Sequence, residues 1–409
     1  MKTMIVAMSV LALAAVASAE VGDLEFVDPA DVAAAGSTIQ VGPNQFAKPA
    51  EGSGCVHPQA VVATVQVGSW RTGTFCVAVD ARKADAKAAD VLRFDFTGRG
   101  KFDDKNVVDM KLKAGEGEMT RGTFGAAVLT ATRNDGPVKV KVAGQYAKQG
   151  LYRSLSLNIC CVKAGSCAFG DKKCAIRLID ANGNLAVSDK PKPTQSGGWV
   201  VLLERGDVVQ IDPGDGKFAK DVVTCRFGQT ICLDGKLWTL AVSPDGKKVS
   251  AKEADGQFGQ VRLPAESATC VLVGDDSTVD VSGNKPVFVP AGKYYVMAYN
   301  ESSAPNAEGK IGSLTVNNWG LKDDAAKKVE VAAGKTVDLK VGSPLTAKAG
   351  VPAKVRPGSS VQLSLVLTDQ GGNDVSSVNG PDGDRPPKPR VDILNDKGEK
   401  VYSSTLEYG

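Results

Sequence analysis

The sequence predicts an all-β protein, a row of small β-sandwich or β-barrel-like modules after a signal peptide, and three observations predict it. Val138-Lys139-Val140-Lys141-Val142, Leu155-Ser156-Leu157-Asn158-Ile159 and Val361-Gln362-Leu363-Ser364-Leu365 alternate apolar with polar residues, the period of a half-buried strand. Asn134-Asp135-Gly136-Pro137, Ala181-Asn182-Gly183-Asn184, Ser243-Pro244-Asp245-Gly246 and Asp396-Lys397-Gly398 supply the backbone angles that tight hairpins use. No segment after the leader sustains a helical period, and the Ala-rich stretches 81–89 and 322–328 have room for single helical turns only. The 409 residues are 43% apolar and 23% charged, enough for several small cores. A net charge of +3 gives no electrostatic basis for binding nucleic acid or a membrane surface.

In chain order, Lys2, the apolar run from Met4 to Val16 and Ala17-Ser18-Ala19 form a secretory signal, residues 1–19. Its apolar core falls short of the ~18 residues a membrane helix needs, no later stretch reaches that length, and no transmembrane segment is expected. The mature chain is then periplasmic or extracellular, with an uncleaved N-terminal anchor as the rival reading. Residues 20–54 form an apolar-poor N-terminal segment. Residues 55–150 and 151–260 read as two β modules that share a pattern: a Cys-bearing strand, then an acid, glycines and Lys-Phe. The pattern is Phe94-Asp95-Phe96-Thr97-Gly98-Arg99-Gly100-Lys101-Phe102 in one and Ile211-Asp212-Pro213-Gly214-Asp215-Gly216-Lys217-Phe218 in the other. The second copy is longer, and the stretch 180–198 is the insertion that makes it so.

Residues 261–342 contain two strand, Ala-Gly-Lys turn, strand segments, Val287 to Val296 and Val329 to Leu339. These resemble prealbumin-like β-sandwich modules that serve as spacers in exported proteins. Residues 343–409, with Arg356-Pro357-Gly358-Ser359-Ser360 before a strand and Val391-Asp392-Ile393-Leu394 beginning another, resemble an immunoglobulin-like domain. Such a sandwich needs about 100 residues, so this one is expected to be truncated. The chain as a whole is similar to bacterial families of exported proteins built from tandem β modules, a resemblance that carries no assigned active residues.

Nine cysteines in an exported chain are expected to form disulfides: Cys55, Cys76, Cys160, Cys161, Cys167, Cys174, Cys225, Cys232 and Cys270. The odd count leaves one over. Short-range pairs within 160–174 and between Cys225 and Cys232 are attractive, whereas the adjacent Cys160 and Cys161 point to opposite faces of a strand and need different partners.

Catalytic chemistry is thinly represented. His57 is the sole histidine, so no second one can complete a Ser-His-Asp triad, and neither a Gly-x-Ser-x-Gly elbow nor a His-Glu-x-x-His zinc motif occurs. Gly334-Lys335-Thr336 imitates the end of a phosphate loop, but Val329 stands where the first glycine belongs, and the stretch reads as a hairpin. The acid pairs Asp103-Asp104, Asp275-Asp276 and Asp323-Asp324 look like solvated turns.

Oxygen-rich loops are the better candidates. Asp95-x-Thr97-x-Arg99-Gly100 and the 212–218 stretch imitate a calcium loop, though Arg99 places a cation among the ligands. Asp180, Asn182 and Asn184, with Asp189 downstream, put oxygen side chains at alternate positions without that cation and form the calcium candidate. Trp70 and Trp319, flanked by Gly, Ser and Asn, are candidate stacking platforms for a carbohydrate, whereas Trp199 and Trp238 lie in apolar strands and belong to the core. The first expectation is thus a non-catalytic exported protein with an envelope, structural or adhesive role, whose partners are cell-envelope glycan or protein. A carbohydrate- or calcium-binding accessory module is the alternative, and a secreted hydrolase using two carboxylates the third reading.

Overall fold

The structure, a computed structural model, describes residues 21–30, 32, 38–67, 73–114, 119–133, 136–196, 199–204, 206–219, 221–275, 277–318, 321–322, 328–350 and 363–406. The signal peptide, Trp70 and Trp319 lie outside the described residues. Among those described, the chain is all-β, with several sheets and one short 3-10 turn at Pro43–Gln45. No helix in them is long and apolar enough to cross a membrane.

Alternation in sequence becomes alternation in burial. On the strand Gly136–Gln149, Val138, Val140 and Val142 point into the core while Lys139 is exposed, and Leu155, Leu157 and Ile159 do the same on Tyr152–Cys160. These two strands sit in a five-stranded antiparallel sheet with Ile39–Val41, Met119–Arg133 and Lys111–Ala114. A bulge interrupts the pairing between Val142 and Gly144, where the backbone passes so close to the Ser156 carbonyl that a Cβ on Gly144 would collide with it.

A second five-stranded sheet comprises Phe46–Ala47, Val61–Val67, Gly73–Asp80, Val91–Asp95 and Val107–Asp109. An eight-stranded sheet runs Val223–Arg226, Val208–Asp212, Lys172–Ile179, Val162–Phe169, Gly22–Val27, Lys248–Glu253, Lys236–Val242 and Ile231–Leu233. One hydrophobic core draws side chains from all three sheets, from Leu24 to Ala251. A separate core begins at Val261 and ends at Val341.

Around that second core, both Ala-Gly-Lys turns carry the chain from one sheet to another. Val287–Pro290 pairs with Phe258–Arg262, whereas Gly292–Ser302, just past the first turn, pairs with Thr269–Gly274. Val329–Val331 pairs with Gly292–Ser302, and Thr336–Asp338 crosses over to lie parallel to Phe258–Arg262. The turn at Gly334 is therefore a corner between sheets and not the expected hairpin, its positive φ of 68° supplied by glycine. Further on, Val375–Asn379 joins the sheet of the second core through Ser313–Asn317, while Thr346–Gly350 pairs with Ser364–Thr368 and Arg390–Leu394 with Lys400–Thr405.

The disulfide expectation is corrected: all nine cysteines are free. Seven are buried, Cys55 is partly covered and Cys232 is exposed. They are spread over separate cores as small apolar fillers, Cys270 in the second core, Cys161, Cys167, Cys174 and Cys225 in the first, and Cys76 against Phe102. Cys225 and Cys232 occupy the strands at opposite ends of the eight-stranded order. Cys160 and Cys161 do face different clusters. Burial pushes the thiols of Cys160 and Cys167 up to about 11 and that of Cys225 up to about 12, which keeps them protonated and poorly nucleophilic at neutral pH.

Candidate functional site

Two four-strand meanders repeat one arrangement of carboxylates. In the first, Val61–Val67, Gly73–Asp80, Val91–Asp95 and Val107–Asp109 pair in chain order; in the second, Val162–Phe169, Lys172–Ile179, Val208–Asp212 and Val223–Arg226 do so. Asp80 lies opposite Val91 and Ile179 opposite Val208, so Asp90 and Asp207 each stand one residue ahead of the third strand. Each accepts a hydrogen bond from the backbone two residues past the end of the second strand. Arg82 N donates to Asp90 Oδ1 at 2.9 Å, and Ala181 N to Asp207 Oδ1 at 3.0 Å.

The far end of the third strand repeats as well. Asp95 accepts from the N–H groups of Thr97 at 2.8 Å and Lys101 at 3.1 Å, and Asp212 from those of Gly214 at 2.7 Å and Phe218 at 2.8 Å. Both carboxylates thus cap the N–H groups two and six residues on. Burial raises the Asp95 pKa, but hydrogen bonds from Thr97 and Lys101 outweigh it and hold the carboxyl below its usual range; backbone N–H bonds from Phe218 and Gly214 do the same for Asp212. Asn106 is engaged elsewhere, accepting from Thr130 N through its side chain.

The inserted connection of the second meander brings together the four residues proposed for calcium. Asp180 accepts from Asn182 N at 3.1 Å, Gly183 N at 2.8 Å and Leu185 N at 2.8 Å. The carboxamides of Asn182 and Asn184 both donate to Asp189 Oδ2, at 2.9 and 2.5 Å. Their own oxygens accept from Asn184 N and Ala186 N. Each of these side-chain oxygens therefore faces an N–H donor. Among the described residues, no group of three or more His, Cys, Asp or Glu is arranged to hold a metal ion.

Asp207 joins this cluster through a 2.7 Å bond from Asp189 N to Oδ2. Asp180 and Asp207 are both 0% exposed. Burial pushes Asp180 up to about 7 against the N–H groups of Leu185, Gly183 and Asn182, and pushes Asp207 up to about 8, with the charge of Asp180 adding to the rise. The first meander handles its buried acid differently. Asp80, also fully buried, receives Val56 N at 2.9 Å, His57 N at 2.8 Å and the Arg93 guanidinium at 2.8 Å, and Arg93 reaches on to the exposed Asp104 at 2.6 Å.

The other candidates are dispersed. Trp238 is buried with its ring edge-on to Phe169 at 5.7 Å between centroids. Asp104 is tied to Arg93 and Asp275 to Lys328, while Asp276, Asp323 and Asp324 lie outside the described residues. His57 accepts from Gln59 N through Nδ1 at 3.1 Å, and its Nε2 lies 3.0 Å from the Ala86 carbonyl, so both ring nitrogens have backbone partners. Sequence reasoning missed Asp80, Arg93 and Asp207. The signal was present in the parallel between Asp90-Val91-Leu92-Arg93-Phe94-Asp95 and Asp207-Val208-Val209-Gln210-Ile211-Asp212.

In the Asp180, Asp189 and Asp207 cluster, Asp180 and Asp207 are sealed from solvent and burial raises the pKa of both. No substrate reaches Asp180 or Asp207 without opening the connection between them. Set against known protein families, characterised proteins and solved structures, the chain matches none.

Proposed function

We propose that this is a non-catalytic exported protein with a structural or adhesive role in the cell envelope, where glycan or protein is its partner. One observation carries the reading: the cluster of Asp180, Asp189 and Asp207 is spent on the fold, with both oxygens of Asp180 and of Asp207 receiving backbone N–H donors and these two acids fully buried. The corner-turning strands around the second core support a prealbumin-like spacer at 261–342; the immunoglobulin-like reading of 343–409 has two paired ladders behind it, while Val375–Asn379 from that stretch joins the sheet of the second core. Export rests on the leader, which predicts a mature N-terminus at Glu20 in the periplasm or medium, readable by mass spectrometry.

The test of the role is complementation of a deletion strain, scored by envelope resistance to detergent. A scaffold restores resistance with any variant that folds, including Asp180→Asn and Asp207→Asn. Loss of rescue by folded forms of those variants would point to the hydrolase reading instead. Calcium binding at Asp180, Asn182, Asn184 and Asp189 is the second reading, supported by their convergence. The ion would have to displace two carboxamide donors from Asp189, and a calcium-dependent rise in Tm is the result that would promote it.

A further inference from the structure

A cavity of about 110 Å3 lies between the two five-stranded sheets, and its polar lining is cationic. Lys148 and Arg153 stand directly opposite each other on the antiparallel strands Gly136–Gln149 and Tyr152–Cys160, and Lys87 faces the same space from the 81–90 connection. Among the described residues, no carboxylate lines the cavity and no salt bridge ties any of the three cations to an acid. Like charges placed directly across a strand pair repel, and both side chains are half-buried, so water screens them incompletely. The fold nevertheless holds them there. Burial raises the pKa of the neighbouring Tyr146 hydroxyl, and the positive charge of Arg153 acts against that rise.

We propose that this cleft binds a tetrahedral oxyanion, phosphate or sulfate, held by Lys87, Lys148 and Arg153. The cavity, about 110 Å3, has room for a small anion. Arg presents a planar fork suited to two oxygens and the lysines add point charges, the division of labour usual in oxyanion recognition. His57 lines the cavity but has both nitrogens committed to Gln59 and Ala86, so it is a wall and not a ligand. Val61, Val79 and Leu112 supply an apolar side against which an organic group attached to the anion would rest.

Because His57 is the only histidine, untagged protein gives a single imidazole Cε1–H resonance that reports from the cavity wall. At constant pH and low ionic strength, inorganic phosphate is expected to move that resonance along a saturating curve, with sulfate doing the same and chloride at matched ionic strength leaving it in place. Lys148→Gln combined with Arg153→Gln, and separately Lys87→Gln, should weaken the apparent affinity at least about tenfold while wild-type shift dispersion shows that the fold is kept. Phenyl phosphate separates the two sources of the anion: tighter binding than inorganic phosphate identifies the end group of a larger ligand, and weaker binding a free ion. A response that does not saturate, or an unchanged curve in both folded variants, overturns the proposal.

Discussion

Asp90 and Asp207 occupy one position in two successive meanders and accept the same backbone hydrogen bond, yet Asp90 is exposed and Asp207 is sealed. The difference is the connection between the second and third strands. In the first meander it is short and leaves the carboxylate in water. In the second it carries the insertion, which folds back as a polar knot around Asp180 and Asp189 and covers Asp207. The buried acids then diverge in how their charge is met. Asp80 has a guanidinium at 2.8 Å, whereas Asp180 receives backbone N–H groups and the Cys161 thiol, and Asp207 receives backbone N–H groups. One meander answers a buried carboxylate with an opposite charge, and in the other burial raises the pKa of both acids.

The largest effect should come from breaking the first answer. Arg93→Leu leaves Asp80 buried without its cation and is expected to cost about 3 to 5 kcal/mol of unfolding free energy, measured by urea denaturation. A loss below about 1 kcal/mol would mean that the pair contributes little.

Next is the pH dependence of the second answer. Asp180 and Asp207 bind protons more tightly folded, at about 7 and about 8, than a carboxyl does unfolded, near ~3.9. Their contribution is complete below the unfolded pKa and is lost as pH rises through the folded values, at about 1.4 kcal/mol per pH unit for each extra proton held. Asp95 and Asp212, with lowered pKa values, work in the opposite window and lose stability below about pH 4. Urea midpoints should therefore peak near about pH 4 to 5 and decline towards pH 8. Asp207→Asn should flatten that decline, at a cost at low pH, because its amide nitrogen cannot accept from Asp189 N. A midpoint that stays level from pH 5 to pH 8 in the wild type would contradict the protonated pair.

The smallest effect concerns the cysteines. Native protein should show one promptly reactive thiol, Cys232, with the buried ones emerging on unfolding, and Cys232→Ser should alter stability by no more than about 0.5 kcal/mol. Thiol counting with an aromatic disulfide reagent checks this.

What could be read from sequence follows from the range of the interaction. Period-two alternation is local, so strands such as Tyr152–Cys160 were legible, and so was the Asp-Gly-Lys-Phe repeat, because its hydrogen bonds close within six residues. The grouping of Asp180, Asn182, Asn184 and Asp189 was legible for the same reason. Asp207 was not, since its burial depends on an insertion folding back from an earlier part of the chain. The cysteines misled because the secretory leader read from sequence makes oxidation the expected state, whereas these side chains are free and most serve as buried apolar volume. The corner at Gly334 was read as a hairpin because a strand, a turn and a strand look alike in sequence whether the second strand returns to its neighbour or joins a different sheet.

The strand Gly22–Val27 lies inside the eight-stranded sheet, bordered by Val162–Phe169 on one side and Lys248–Glu253 on the other. The earliest described strand thus finds its neighbours only when distant, late-made parts of the chain arrive. A polypeptide emerging N-terminus first leaves one edge of that strand open until Val162–Phe169 is made and the other until Lys248 and Val249 appear, with the closure entropy of a long loop set against each pairing. Assembly of the first core is for that reason timed by the length of chain delivered, and a product cut short ahead of Lys248 would present an unpaired strand edge to its surroundings.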